Sequence, residues 1–175
     1  STRNPIFMAD NNRNMYDQHT LNSKLEFNYE FTDWFDATYR TGLYFQSEPG
    51  RVTNRKLVSN VATRNINGSV NDTHRGFTRF NNDLILNFHK NFGDFSTKLL
   101  VGQNIRMDDS KLINVSAANL LFEDIFNQGS RTGELTGGST ITKYRSLATY
   151  GEFTAGYKNY LFLTLTGRND QVSVL

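Results

Sequence analysis

The sequence contains no cysteine, which excludes disulfide bonds and thiolate metal sites. A cysteine-free chain fits a bacterial envelope protein but does not by itself identify one. No stretch approaches the roughly 18 consecutive apolar residues of a membrane helix, and the mean hydropathy of -0.55 would by itself indicate a soluble protein. That conclusion is unsafe, because a transmembrane strand carries apolar residues only at every second position.

The charge balance also excludes one class of partner. The net charge is +2, with cationic and anionic residues mixed along the chain, so there is no basic stripe for binding nucleic acid.

The first residues have no apolar segment after their positive charge and are not a signal peptide. A secreted precursor would need one, so we expect the N-terminus of the sequence to be cut or incompletely represented.

Apolar and polar residues alternate with a period of two in six runs, which predicts six β-strands. The runs extend from Leu21 to Tyr29, Phe35 to Phe45, Phe80 to Phe88, Phe95 to Ile105, Leu147 to Tyr157 and Leu161 to Leu165.

The connections between these runs alternate between short turns and long polar segments. The short ones are 30–34, 90–94 and 158–160, and the long ones are 47–76 and 107–144. This alternation is typical of an outer-membrane β-barrel. We expect the first nineteen residues to end one outer loop and the residues after Arg168 to begin the next.

Aromatic residues cluster at the three short turns, which predicts an interfacial girdle at one membrane boundary. They are Phe31, Trp34, Phe35, Phe88, Phe92, Phe95, Tyr157, Tyr160 and Phe162. The fold class is therefore all-β, an antiparallel transmembrane segment of a larger barrel. Six strands are fewer than the roughly eight of the smallest single-chain barrels, so we expect other strands to complete it.

Five short stretches, in the same order and spacing, resemble the SusC/RagA-type TonB-dependent transporters. They are NPIF and NNRN at 4–7 and 11–14, YEFTDWF at 29–35, NFGDF at 91–95 and GYKNYLFLTLTGRND at 156–170. The last resembles a strand pair of the family most closely. The final residues, QVSVL at 171–175, depart from the family's usual Trp-Ser-Ser-Thr-Leu.

The resemblance implies that residues 1–175 are part of a barrel of roughly 22 strands with a plugged lumen. It also implies a plug domain and remaining strands outside this sequence, the TonB complex, a SusD-like surface lipoprotein and outer-membrane lipid as partners. The substrate class would be glycans or peptides, and the location would be the outer membrane of a Gram-negative bacterium of the Bacteroidota.

Residues with catalytic or metal-binding potential are isolated in the sequence. The three histidines lie far apart, and no phosphate loop or nucleophile–base arrangement is present. Asp108 and Asp109, placed in a predicted loop, lack the spaced oxygen ligands of a cation site. We therefore expect neither an enzyme nor a bound cofactor or metal.

Charged residues on the polar strand faces are candidates for the lumen wall. They are Lys24, Glu26, Asp36, Arg40, Asp83, Lys98, Arg106, Glu152 and Arg168. We expect them to pair with each other or with a plug more than to contact substrate.

One apolar segment interrupts the second long polar connection, at 118–127. Its apolar side chains could contact the SusD-like surface lipoprotein or the barrel mouth, or they could pack the loop onto itself. These residues are Leu120, Leu121, Phe122, Ile125 and Phe126. The function that the resemblance implies is active, TonB-dependent import, and two alternatives to it remain at this point. One is a passive porin or structural barrel, which would lack a plug, and the other is a soluble β-protein that binds a ligand between sheets.

Overall fold

A computed structural model describes residues 5–59, 65–158 and 160–174. Over these residues the chain forms a single antiparallel sheet and one short helix, and that helix is too short to span a membrane. The elements are α1 (Pro5–Asn11), β1 (Asn12–Tyr16), β2 (His19–Thr32), β3 (Phe35–Asn54), β4 (Ser69–Phe92), β5 (Phe95–Ala118), β6 (Thr136–Tyr157) and β7 (Leu161–Val174). Asn4 and Asn159, which belong to two of the family-like segments, lie outside the described residues.

The strands follow one another in chain order across the sheet. β3 to β7 are consecutive neighbours, and β1 and β2 both pair with β3. β1 is antiparallel to the end of β3, with Asn12 opposite Asn54. β6 and β7 pair from Tyr157 opposite Leu161 to Tyr144 opposite Val174. The all-β antiparallel class predicted from the sequence is therefore confirmed.

The strands are longer and more numerous than the alternation predicts. β4 and β5 each contain 24 residues, so the long connections shrink to 55–68 and 119–135. The prediction of loop at both ends is wrong, because β1 forms within the first nineteen residues and β7 continues past Arg168 to Val174. Alternation detects only strand stretches with one apolar face, whereas backbone pairing continues where both faces are polar.

Contacts divide the chain into two compact units. The loop unit comprises 1–20, 46–76 and 110–141, and the sheet unit comprises 21–45, 77–109 and 142–175. The loop unit contains both long connections and a small apolar core of Val70, Ala117 and Leu120, against which Phe126 packs. The sheet unit contains the three short turns.

The short turns of the sheet unit use residues suited to tight hairpins. Gly93 adopts a positive φ of 60°, a left-handed conformation that glycine reaches without a steric penalty and that two-residue hairpin turns require. Lys158 adopts a φ of 47° at the third turn. The backbone at these positions thus fixes the register of the strands on either side.

Aromatic rings at the turns form two rows rather than isolated contacts. Phe35 stacks on Phe31 at 4.8 Å and on Phe88 at 4.6 Å between ring centroids. Phe95 and Tyr157 lie 4.8 Å apart in the second row. The sequence analysis placed Phe162 with these aromatic residues, and that prediction is wrong. Strand alternation turns Phe162 to the opposite face of the sheet, where its ring lies against Gly156.

Candidate functional site

The polar face of the sheet unit carries all nine charged residues proposed from the sequence, since each shares the alternation of its polar neighbours. Contacts between adjacent strands tie many of them together. Arg40 on β3 donates to Glu26 on β2 at 2.9 Å, and Lys24 lies 3.1 Å from the same carboxylate. Opposite charges on this face therefore neutralise one another across strands.

Amides extend this network towards β5. Asn87 donates to Asp36 at 2.8 Å, and Asn104 donates to Asp83 at 2.6 Å. At the far edge, Arg168 pairs with Asp170 on its own strand at 2.8 Å. Both carboxylates Asp36 and Asp83 are thus matched by donors from the next strand.

Lys98 and Glu152 are the exceptions among the nine. Neither side chain makes a hydrogen bond or ion pair with any residue that the structure describes. Both line a shallow cavity of about 400 Å³ on the polar face, together with Asn87 and His89. Their charged groups remain available to solvent or to a molecule within the cavity.

The most buried charge of the sheet unit lies between two arginines. The Asp108 side chain is only 11% exposed, and it accepts two hydrogen bonds at 2.9 Å from Arg79 on β4. It also accepts a bond of 2.6 Å from Arg106 on its own strand. A planar guanidinium matches a carboxylate through two parallel bonds, so this arrangement fixes both arginines.

Aromatic rings flank these arginines on the same face. The Arg79 guanidinium lies 5.2 Å from the Phe77 ring centroid, and that of Arg106 lies 5.1 Å from the Tyr144 ring centroid. Tyr44 packs edge-on against Phe77 at 5.9 Å. Cations within about 6 Å of a ring face are attracted by the ring quadrupole, so the rings restrain the two guanidinium groups further.

Arg79, Asp108, Phe77 and Tyr144 are absent from the sequence-based candidates. The interpretation of Asp108 as a loop residue is wrong, because it lies within β5 and pairs with arginine. The signal that could have found Arg79 is its alternation with Asn81 and Asp83, extended one residue before the predicted start of the strand at Phe80. Among the described residues, no group of three acidic or histidine side chains could hold a metal ion.

We expect Asp108→Asn to destabilise the protein by about 1–3 kcal/mol, because it removes the charge shared by Arg79 and Arg106 and leaves two cations adjacent. Urea unfolding of the full-length protein in lipid vesicles would measure this. Asp170→Asn is the matched control, because its pair with Arg168 is exposed and such pairs contribute little. Equal losses in the two variants would contradict a special role for the arginine pair.

The opposite face of the sheet unit is mainly apolar and is exposed. Leu25, Leu163 and Leu165 on this face are each more than half exposed, and no described residue covers them. One polar residue on this face, Asn82, accepts a hydrogen bond from the Tyr39 hydroxyl at 3.0 Å. The face is bounded on one side by the aromatic rows and interrupted on the other by the Arg145–Asp109 ion pair at 2.7 Å.

In the loop unit, the second long connection folds back on its own base. Leu120 is 1% exposed, its backbone N–H donates to the Gly68 carbonyl at 3.2 Å, and it forms a bridge with Arg131. Asn119 turns the chain there with a φ of 56°. Leu120 and Phe126 therefore pack the loop, as one of the two interpretations of this segment predicted.

Ion pairs and amides hold the two long connections to each other and to the adjoining ends of β3 and β4. Arg55 lies 3.0 Å from Asp124, and Lys56 donates to the Leu121 carbonyl at 3.1 Å. Arg51 binds Asp72 at 2.6 Å, and Gln128 donates to the same carboxylate at 3.1 Å. The hydrogen bond from Arg51 is the main cause that lowers the pKa of Asp72 below its usual value.

Three apolar side chains of the same segment point outward instead. Leu121 is 46% exposed, Phe122 is 57% exposed, and Ile125 is similarly exposed. Lys56 binds the Leu121 carbonyl, Arg55 pairs with the Asp124 side chain, and buried Leu120 adjoins the patch, so these contacts hold the loop that presents it. The segment thus divides into packing residues and exposed residues.

Comparison with known proteins gives matches in structure but not in sequence. No protein-family model and no curated protein matches the chain. The fold matches a structure of the RagAB peptide transporter with a TM-score of 0.85 at 10% identity, over 95% of this chain. It also matches the RagAB peptide importer in its closed-closed state (TM-score 0.86, 11% identity) and its open-open state (TM-score 0.84, 13% identity), each over 96% of this chain.

The chain spans 19% of the length of each of these structures. At such low identity the likeness shows the fold alone, which is that of one segment of a transporter chain. The likeness to SusC/RagA-type proteins predicted from the sequence motifs is confirmed at this level.

Proposed function

We propose that this chain forms part of the wall of an outer-membrane β-barrel importer of the SusC/RagA kind, in a Gram-negative bacterium of the Bacteroidota. The observation that carries the proposal is the contrast between the two faces of the sheet unit. One face is polar and connected by hydrogen bonds, whereas the other is apolar, exposed and bordered by aromatic rows. A barrel wall requires this contrast, because one face meets lipid and the other meets a water-filled lumen.

The sheet edges support a larger closed barrel. All residues of β2 and β7 are exposed, and unpaired strand edges within lipid cost several kcal/mol for each backbone group. Further strands pairing with β2 and β7 would satisfy these groups. The plug, the TonB contact and these strands belong to the rest of such an importer.

The polar face would line the lumen, and its nine candidates would serve chiefly to hold the wall and to contact a plug. The cargo class is glycans or peptides, and the matched structures are of a peptide transporter. The exposed patch of Leu121, Phe122 and Ile125 would contact a SusD-like surface lipoprotein at the barrel mouth. A patch of this kind on a fixed loop suits a partner contact, since exposed apolar clusters often mark interaction sites.

Uptake measurements test active import against the passive-porin alternative. In cells carrying the full-length protein, accumulation of its labelled nutrient should be abolished by deleting TonB and by collapsing the proton gradient. An importer needs this energy because its plug must be displaced, whereas a porin does not. Uptake that continues unchanged without TonB would contradict the proposal and favour the porin.

A further inference from the structure

We infer that Arg79 and Arg106 form a binding site for a single carboxylate group on the polar face of the sheet unit. The inference rests on the proposed function, because it takes this face to line the transport lumen. It adds a ligand chemistry that the wall would recognise. Of the three residues of the cluster, Arg106 is one of the nine charged residues proposed from the sequence, whereas Arg79 and Asp108 are not.

The charge of the cluster favours an anion. Two guanidinium groups share one carboxylate, Asp108, so the three side chains carry a net charge of +1. The Asp108 side chain is almost covered, whereas those of Arg79 and Arg106 are 40% and 37% exposed. The positive charge therefore faces the open side of the sheet, and the negative charge lies beneath it.

Both arginines retain unused donors. A guanidinium has five N–H donors, and Arg79 spends its Nε and one Nη2 hydrogen on Asp108. Arg106 binds the same carboxylate through its Nε and Nη2. The Nη1 groups of both residues make no hydrogen bond with any described residue, so two donor groups remain for an incoming carboxylate.

The arginines are also held in place before any ligand arrives. Asp108 fixes one edge of each guanidinium, and Phe77 and Tyr144 lie against their flat faces. Restraint of this kind reduces the side-chain entropy lost on binding. A cavity of about 330 Å³ adjoins Arg79 and leaves room for the group that bears the carboxylate. Its charged lining residues are Arg40 and Lys24, which pair with Glu26, and Asp83, which accepts hydrogen bonds from Asn81 and Asn104.

A carboxylate could come from the transported molecule or from another part of the full-length protein, such as the plug. An arginine-selective label, phenylglyoxal, separates these sources when applied to the full-length protein in outer membranes. Labelling rates at Arg79, Arg106 and Arg168 are measured by mass spectrometry with excess sodium benzoate, and with neutral benzamide at the same ionic strength. Arg168 is the internal control, since it lies on the same face but pairs with exposed Asp170.

If the transported molecule supplies the carboxylate, benzoate should slow the labelling of Arg79 and Arg106 several-fold, whereas benzamide should not. The labelling rate of Arg168 should be the same with and without benzoate. If the protein itself supplies it, both arginines should label slowly without benzoate. The Arg79→Gln/Arg106→Gln double variant should then admit vancomycin, whereas Arg168→Gln should not.

Two results would overturn the site. One is labelling of Arg79 and Arg106 as fast as that of Arg168, with or without benzoate. The other is slow labelling without benzoate and no vancomycin entry in the double variant. Either result leaves TonB-dependent uptake untouched, so failure of the site is distinguishable from failure of the proposed import function.

Discussion

Replacing Leu163 with arginine is expected to destabilise the full-length barrel by about 2–4 kcal/mol if the residue lies near the bilayer midplane. Leu163 lies on the apolar face of β7, opposite Ala155 of β6, and more than half of its side chain is exposed. In the proposed barrel this exposed surface meets lipid, and an arginine there would place a charge in hydrocarbon. Urea titration of the protein folded in lipid vesicles measures the loss.

Thr166→Arg is the matched control for this prediction. Thr166 lies three residues further along the same strand but on the polar face, opposite Glu152 in the β6–β7 register. An arginine there would face water and a carboxylate that has no partner among the described residues. It should therefore cost much less than Leu163→Arg, and similar losses in the two variants would contradict the assignment of the faces.

Leu120→Ala is expected to loosen the second long connection by about 2–5 kcal/mol, because it empties a packed site in the core of the loop unit. The effect should appear as local opening, since this core is small and lies in a connection between strands. Hydrogen exchange by mass spectrometry should show faster exchange across 119–135, including the Leu120 amide that donates to Gly68.

Leu121→Ala separates packing from partner binding. Leu121 is exposed, so its truncation should leave hydrogen exchange across 119–135 nearly unchanged. It should nevertheless weaken co-purification of the surface lipoprotein if the outward patch is the contact. Faster exchange in Leu121→Ala than in Leu120→Ala would contradict the division of this segment into packing and exposed residues.

The sequence alone predicts the strand cores because an apolar face imposes a period of two. Leu161, Leu163 and Leu165 show this pattern, and all three lie on one face of β7. The same logic explains the failures. The residues after Arg168 and those of β1 have no single apolar face. Their strand structure is fixed instead by backbone pairing, with residues 144–149 of β6 and with β3 respectively.

The arginine cluster could be predicted only in part. Arg106 stands out in the sequence because it ends a clear alternating run. Its partners depend on register between strands, because Arg79 and Asp108 are 29 residues apart and meet only through pairing of β4 with β5. Which residues of the apolar loop segment are buried likewise depends on tertiary contacts, since nothing in its composition distinguishes buried Leu120 from exposed Leu121.

The most direct test of the barrel-wall assignment is a nitroxide scan of positions 161–166 in the full-length protein, reconstituted in lipid vesicles. Collisions with oxygen report lipid exposure, and collisions with a water-soluble nickel complex report aqueous exposure. The account predicts strict alternation, with oxygen favoured at Leu161, Leu163 and Leu165 and nickel favoured at Phe162, Thr164 and Thr166. Equal nickel access at all six positions would contradict it and would favour a soluble β-protein.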